Sequence, residues 1–253
     1  MPTHARRQVQ PEQTTLAPAR PLVTPVSNSD MQDQLLASKA SESQSVLQDG
    51  PEEASPEREL ADLKTPENAA PIIDQYRMNH EWNDGFCGLA TVISTLEANG
   101  RGEWNIHDRG TLSRLASRIY LRGQGSSGAL MAKYLRAFGE AHATFTAAGS
   151  VGQLMGTLAG GRPVPVGFVS MGGEVVEAPR TSLRYGVLKP GDHHEHIFGP
   201  SGHWATVVGF EGPAEAPTHF LVNDSDTGAQ LRMSRGDFER HTDARNGIWM
   251  IPY

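Results

Sequence analysis

Apolar residues recur at helical spacing through the first half of the folded part of the chain, then switch to strand-like runs. Leu89, Val92, Ile93 and Leu96 form one stripe, which predicts a helix starting near Cys87 and stopping at Asn99-Gly100. Leu112, Leu115, Ala116 and Ile119 predict a second helix over 112–121. Leu130, Met131, Tyr134, Leu135 and Phe138 predict a third, with Ser126 or Ser127 as its cap and Gly139 as its end. A fourth spans Val151 to Leu158, between Ser150 and Gly160-Gly161. Thr144-Phe145-Thr146 reads as a short strand, and Pro71–Tyr76 as an extended lead-in. Beyond it, 163–169, 202–210, 219–224, 230–233 and 248–251 read as strands, with a helical turn over 234–241. Residues 170–200 are punctuated by glycine and proline and read as a long irregular loop. Helices first and antiparallel strands second is an α+β pattern, a helical part packed on a C-terminal antiparallel sheet.

Composition separates this region from what precedes it. Residues 1–70 contain no aromatic residue, 8 of the 17 prolines, and 6 Lys+Arg against 11 Asp+Glu. Such a segment buries too little apolar surface to offset the entropy of ordering, so 1–70 is expected to be a disordered leader and 71–253 a single domain. Short helices around Met31–Lys39 or Glu57–Lys64 would be marginal alone. The net charge of −7 gives no electrostatic reason to expect nucleic acid as a partner. No apolar run is long enough to span a bilayer, and no secretory signal follows Arg6-Arg7. The expected location is the cytoplasm, or outside the cell by way of a dedicated secretion machine.

The chain has one cysteine. This excludes an intrachain disulfide and a cysteine-based zinc site. At the first turn of a helix, the Cys87 thiol faces unpaired N–H groups and the positive end of the dipole, which favours thiolate. The alternative is a cysteine that packs as a small hydrophobe. A nucleophile needs a base and an orienting group. His203 begins one predicted strand and Asp224 ends the next, so a hairpin would make them neighbours, with Asp224 or Asn223 accepting from the imidazole. Each has a plainer reading: a strand-end histidine and a turn former. The run Asp192-His193-His194-Glu195-His196 offers nitrogen and oxygen metal ligands. Adjacent loop residues rarely converge on one ion, so a solvated polar loop is expected there, with no metal and no other cofactor.

Taken together, Gln75, Trp82, Gly85-Phe86-Cys87-Gly88, the strand Gly202-His203-Trp204-Ala205-Thr206-Val207-Val208-Gly209-Phe210 and Val222-Asn223-Asp224 resemble the papain-like cysteine peptidases. The similarity is greatest to the branch that includes double-glycine leader peptidases and similar bacterial effector proteases. It covers about 71–253. The resemblance implies Cys87 as nucleophile, His203 as general base, Asp224 as the orienting acid, and Gln75 as an oxyanion donor beside the Cys87 N–H. It implies a cysteine hydrolase acting on a peptide or protein substrate. Deamidation or transamidation through the same site, or an inactive binding module with this fold, are the alternatives. The leader's layout is similar to that of injected effectors, which implies a secretion machine or chaperone as its partner. Two positions depart from the family, Leu89 after Cys-Gly and Ser225 after Asn-Asp, where proline is usual or frequent; neither is expected to carry chemistry. Trp82, Trp204 and the 170–200 segment are expected to border the cleft.

Overall fold

The computed structural model describes residues 70–81, 83–101, 104–121, 125–198 and 202–253. The expected leader up to residue 69, its two candidate helices, Trp82 and Gln124 lie outside the described residues. What is described is α+β: five helices and a large antiparallel sheet. In chain order the helices are α1 (Cys87–Ala98), α2 (Arg109–Ile119), α3 (Gly128–Ala137), α4 (Val151–Ala159) and α5 (Arg235–His241). The strands are β1 (Tyr120–Leu121), β2 (Gly125–Ser126), β3 (Thr146–Gly149), β4 (Val164–Phe168), β5 (Ser170–Glu177), β6 (His193–Ile197), β7 (His203–Glu211), β8 (His219–Asp224), β9 (Ala229–Ser234) and β10 (Ile248–Met250). β1 and β2 form a small ribbon. The other eight make one sheet in the order β3-β10-β4-β7-β8-β9-β5-β6. None of the described helices is long and apolar enough to cross a membrane.

The helix starts follow their local chemistry. Asp108 caps α2 by accepting from the N–H groups of Gly110 and Thr111. Ser150 and Gln153 close a reciprocal capping box at α4. Ser127 sits at the cap position of α3 but its side chain makes no capping bond. The short strand expected at 144–146 lies two residues later, at β3. The larger correction concerns 170–200. Instead of an irregular loop, it holds β5 and β6 paired as a hairpin, with Met171 opposite His196 and Gly173 opposite His194. The histidine run is therefore an edge strand. Alternate exposed and half-buried positions along it explain a polarity that reads as loop.

Two apolar cores sit on opposite faces of the sheet. Successive residues of β7 point to opposite sides, so Trp204 joins the core of α1, α2 and α3, whereas Ala205 and Val207 join the core beneath α4 and α5. α1 is buried on all sides rather than on one stripe. Ala90, Thr91 and Ser94 also face inward, and with Thr206, Asn223 and Ser225 they line a gap of about 10 Å³. Two hydroxyls of the helix bond to main chain: Thr95 Oγ1 to the Thr91 carbonyl at 2.8 Å, and Ser94 Oγ to the Pro71 carbonyl at 2.8 Å. Small side chains on that face let the helix lie close to β7. Gly88 does the same against β2, since an added Cβ there would sit 2.3 Å from the Ser126 Cβ.

Candidate active site

The amino end of α1, the amino end of β7 and the carboxyl end of β8 meet at one place. Cys87 is the first residue of α1. Phe86 before it supplies no capping side chain, and the first turn contains no acidic residue. The positive end of this helix is therefore not neutralised locally. The thiol is hydrogen-bonded to the His203 ring and to the N–H groups of Trp204 and Gly88. β7 pairs with β8 so that Thr206 faces Asn223, which sets Asp224 beside the start of β7. His203 Nε2 lies 2.7 Å from Asp224 Oδ1. With Nε2 held there, Nδ1 is the ring nitrogen left for the sulfur.

Asp224, not Asn223, meets the ring. Asn223 turns the other way, with Nδ2 donating to the Ala70 carbonyl at 2.7 Å and Oδ1 accepting from Gln230 at 2.9 Å. Asp224 is also held by Asp226 N–H on Oδ1 at 3.0 Å, and by Thr227 through its hydroxyl on Oδ2 at 2.8 Å and its N–H at 3.2 Å. Gly228, at φ +67°, closes this turn, and a Cβ on it would sit 2.8 Å from the Asp74 Cβ.

Burial and charge act in opposite directions at each group. Burial pushes the Cys87 thiol up, but the His203 ring and the two N–H donors outweigh it, so its pKa lies below the ordinary thiol value. Burial lowers the His203 ring, but the bonds to Asp224 and Cys87 push it up to about 10. Burial raises the Asp224 carboxyl, and its bond to His203 brings it below the usual carboxylate range. The thiol is lowered and the imidazole raised, so both shifts run toward a thiolate beside an imidazolium, with the carboxylate behind them. His203 is 5% exposed and Asp224 1%, whereas Cys87 is partly open to solvent.

Gln75 lies in a short 3-10 turn, Gln75–Arg77, and is joined to the group through Ser225. Its N–H donates to the Ser225 carbonyl at 2.9 Å, and its Oε1 accepts from Ser225 Oγ at 3.0 Å. With Oε1 accepting from Ser225, the carboxamide NH2 is the donor end of the side chain. Ser225, read as a silent departure from the family, is therefore a contact of Gln75. Trp204 is a core residue. It is 6% exposed, and its Nε1 donates to the Ser126 carbonyl at 3.0 Å.

Other neighbours of the site had no signal in spacing. Phe198 stacks on the His203 ring, with centroids 4.3 Å apart and planes 16° from parallel. Tyr76, Arg184 and Tyr185 surround the carboxylate of Asp226. They come from the 170–200 segment and the Gln75 turn, and only the general expectation that this segment borders the cleft pointed toward them. Among the described residues, no group of three His, Cys, Asp or Glu side chains is close enough together to hold a metal ion. No protein-family model matches the chain, and no curated protein matches it either.

Proposed function

We propose that this chain is a papain-like cysteine hydrolase that breaks an amide bond of a peptide or protein through the Cys87 thiolate. The observation that carries this reading is the chain of bonds Cys87–His203–Asp224 at the junction of α1, β7 and β8, in which Cys87 is the least buried residue. Sγ attacks the carbonyl carbon, and the electron pair of the C=O bond moves to oxygen. Two donors suit that oxygen: the Cys87 N–H, in a first turn where helix geometry offers no partner, and the Gln75 carboxamide. His203 Nδ1 gives its proton to the leaving nitrogen as the C–N bond breaks, leaving a thioester. Neutral His203 then takes a proton from water, the hydroxide adds to the thioester carbon, and the acid leaves with Sγ restored as thiolate. Asp224 holds the ring in the tautomer and orientation that both transfers need.

Deamidation and transamidation share the acyl-enzyme and differ in the amide attacked or the group that resolves it. Cleavage-site profiling of a proteome with the wild-type chain and Cys87→Ala tests the reading. New termini that depend on Cys87 are the expected result. Mass shifts of deamidation or crosslinking with no new termini would reassign the reaction within the class. Alkylation of Cys87 by iodoacetamide at pH 6 no faster than that of a small free thiol would remove the hydrolase reading.

A further inference from the structure

The segment between β5 and β6 folds back onto the Gln75 turn. The Leu183 N–H donates to Asp74 Oδ2 at 3.2 Å, and Arg77 Nη2 donates to the Thr181 carbonyl at 2.5 Å. The next two residues reach further. Arg184 Nη1 donates to Asp226 Oδ1 and to the Tyr76 hydroxyl, both at 2.6 Å. The Tyr185 hydroxyl donates to Asp226 Oδ2 at 2.6 Å, and the Tyr76 hydroxyl to Oδ1 at 2.7 Å. The Asp226 side chain is 3% exposed, and a carboxylate so enclosed is strongly unfavourable unless its oxygens are satisfied. Here two phenols and a guanidinium satisfy it, within the field of Asp224 and the neighbouring His194.

Asp226 is not an isolated anchor. Its N–H donates to Asp224 Oδ1, the oxygen that receives His203 Nε2. One residue earlier, Ser225 holds Gln75 by main chain and side chain. A shift of Asp226 would therefore disturb the imidazole and the carboxamide at once. We infer that Arg184 and Tyr185 are positioning residues of the reaction. By gripping Asp226 they fix the turn 224–226 that aims both His203 and Gln75, so the β5–β6 connection is part of the machinery and not only a wall of the cleft. This inference rests on the hydrolase reading.

The test uses the full chain and its Tyr185→Phe, Arg184→Gln and Arg184→Lys variants. Iodoacetamide alkylation of Cys87 is followed from pH 4 to 9 by mass spectrometry, a peptidyl epoxide supplies separate kinact and KI values, and Tm reports folding. Losing one charge-assisted bond should lower kinact roughly 10-fold in Tyr185→Phe and Arg184→Gln, with KI nearly unchanged. The acid limb of the alkylation profile should move to higher pH, and Arg184→Lys should recover part of both effects. Unchanged profiles and kinact overturn the inference while leaving the hydrolase reading standing. So does a fall in kinact that only tracks lost Tm with the acid limb in place, or a Tyr185→Phe chain that does not fold, since either makes the grip merely structural. Wild-type Cys87 that reacts like a small free thiol removes the hydrolase reading, and the inference with it.

Discussion

Among the described residues, Asp224 receives more bonds than any other carboxylate near the sulfur, and each oxygen has a distinct duty. Oδ1 takes His203 and the Asp226 N–H, and Oδ2 takes Thr227. Replacing it with asparagine keeps the shape but removes the charge that stabilises the imidazolium. Asp224→Asn should slow Cys87 alkylation at pH 6 by about 10- to 100-fold, the value of a charge-assisted hydrogen bond. The same change has a stability signature. The folded pKa of Asp224 is depressed, so its contribution is present above the ordinary value of 3.8 and is lost as pH falls through the depressed one. The Tm gap between wild type and Asp224→Asn should be open at pH 6 and close progressively below pH 3.8. A gap that widens on acidification would contradict that sign. Phe198 covers one face of the ring. Phe198→Ala would open that face of the ring to water and weaken the His203–Asp224 bond, so Cys87 alkylation at pH 6 should slow.

At the scale of elements, the seam between α1 and the β1–β2 ribbon is the tightest tolerance. Gly88→Ala would place a methyl 2.3 Å from the Ser126 Cβ, so the first turn of α1 or the ribbon must shift. Overpacking of this kind costs about 1–3 kcal/mol, and here it displaces the residue next to Cys87. Both Tm and Cys87 alkylation should fall. Ser150→Ala serves as the contrast: it removes the α4 capping box, costs about 1 kcal/mol, and should leave alkylation unchanged because α4 packs on the other face of the sheet. The elements legible in the sequence were those with a strong period. α1, α2, α3 and α4 announce themselves through apolar spacing, and β7 and β8 through unbroken apolar runs. β5 and β6 were hidden for a physical reason. β6 is a solvated edge whose residues are His-His-Glu-His-Ile, and β5 carries Gly172 and Gly173 because neighbouring atoms leave no room for a Cβ.

For the molecule as a whole, the residues that meet at the candidate site were readable in the chain, and their cross-connections were not. Cys87, His203 and Asp224 stand out as residue types at element ends, where a hairpin brings two of them together. The ties from Ser225 to Gln75 and from Asp226 to Tyr76, Arg184 and Tyr185 join positions far apart in sequence through ordinary polar residues, and nothing in local pattern marks such pairs. Other such ties join residues 70–76 to the site. Ala70 accepts a bond from Asn223, and Asp74 takes part in the turn against Gly228. A chain beginning at residue 66 should therefore alkylate at Cys87 like the full chain. One beginning at residue 77 lacks Asp74, Gln75 and Tyr76, and should lose both Tm and thiol reactivity.

The two cores have a further consequence. The sulfur rides on a helix rooted in one core, while Phe168, opposite the imidazole in the sheet, is rooted in the other. Reactivity is then a measure of how well two layers stay in register. In mild urea, a slip between them would return Cys87 to the behaviour of an ordinary thiol while each layer kept its secondary structure. The alkylation rate should collapse at lower denaturant than the far-ultraviolet circular dichroism, which would make Cys87 a built-in gauge of interlayer slippage.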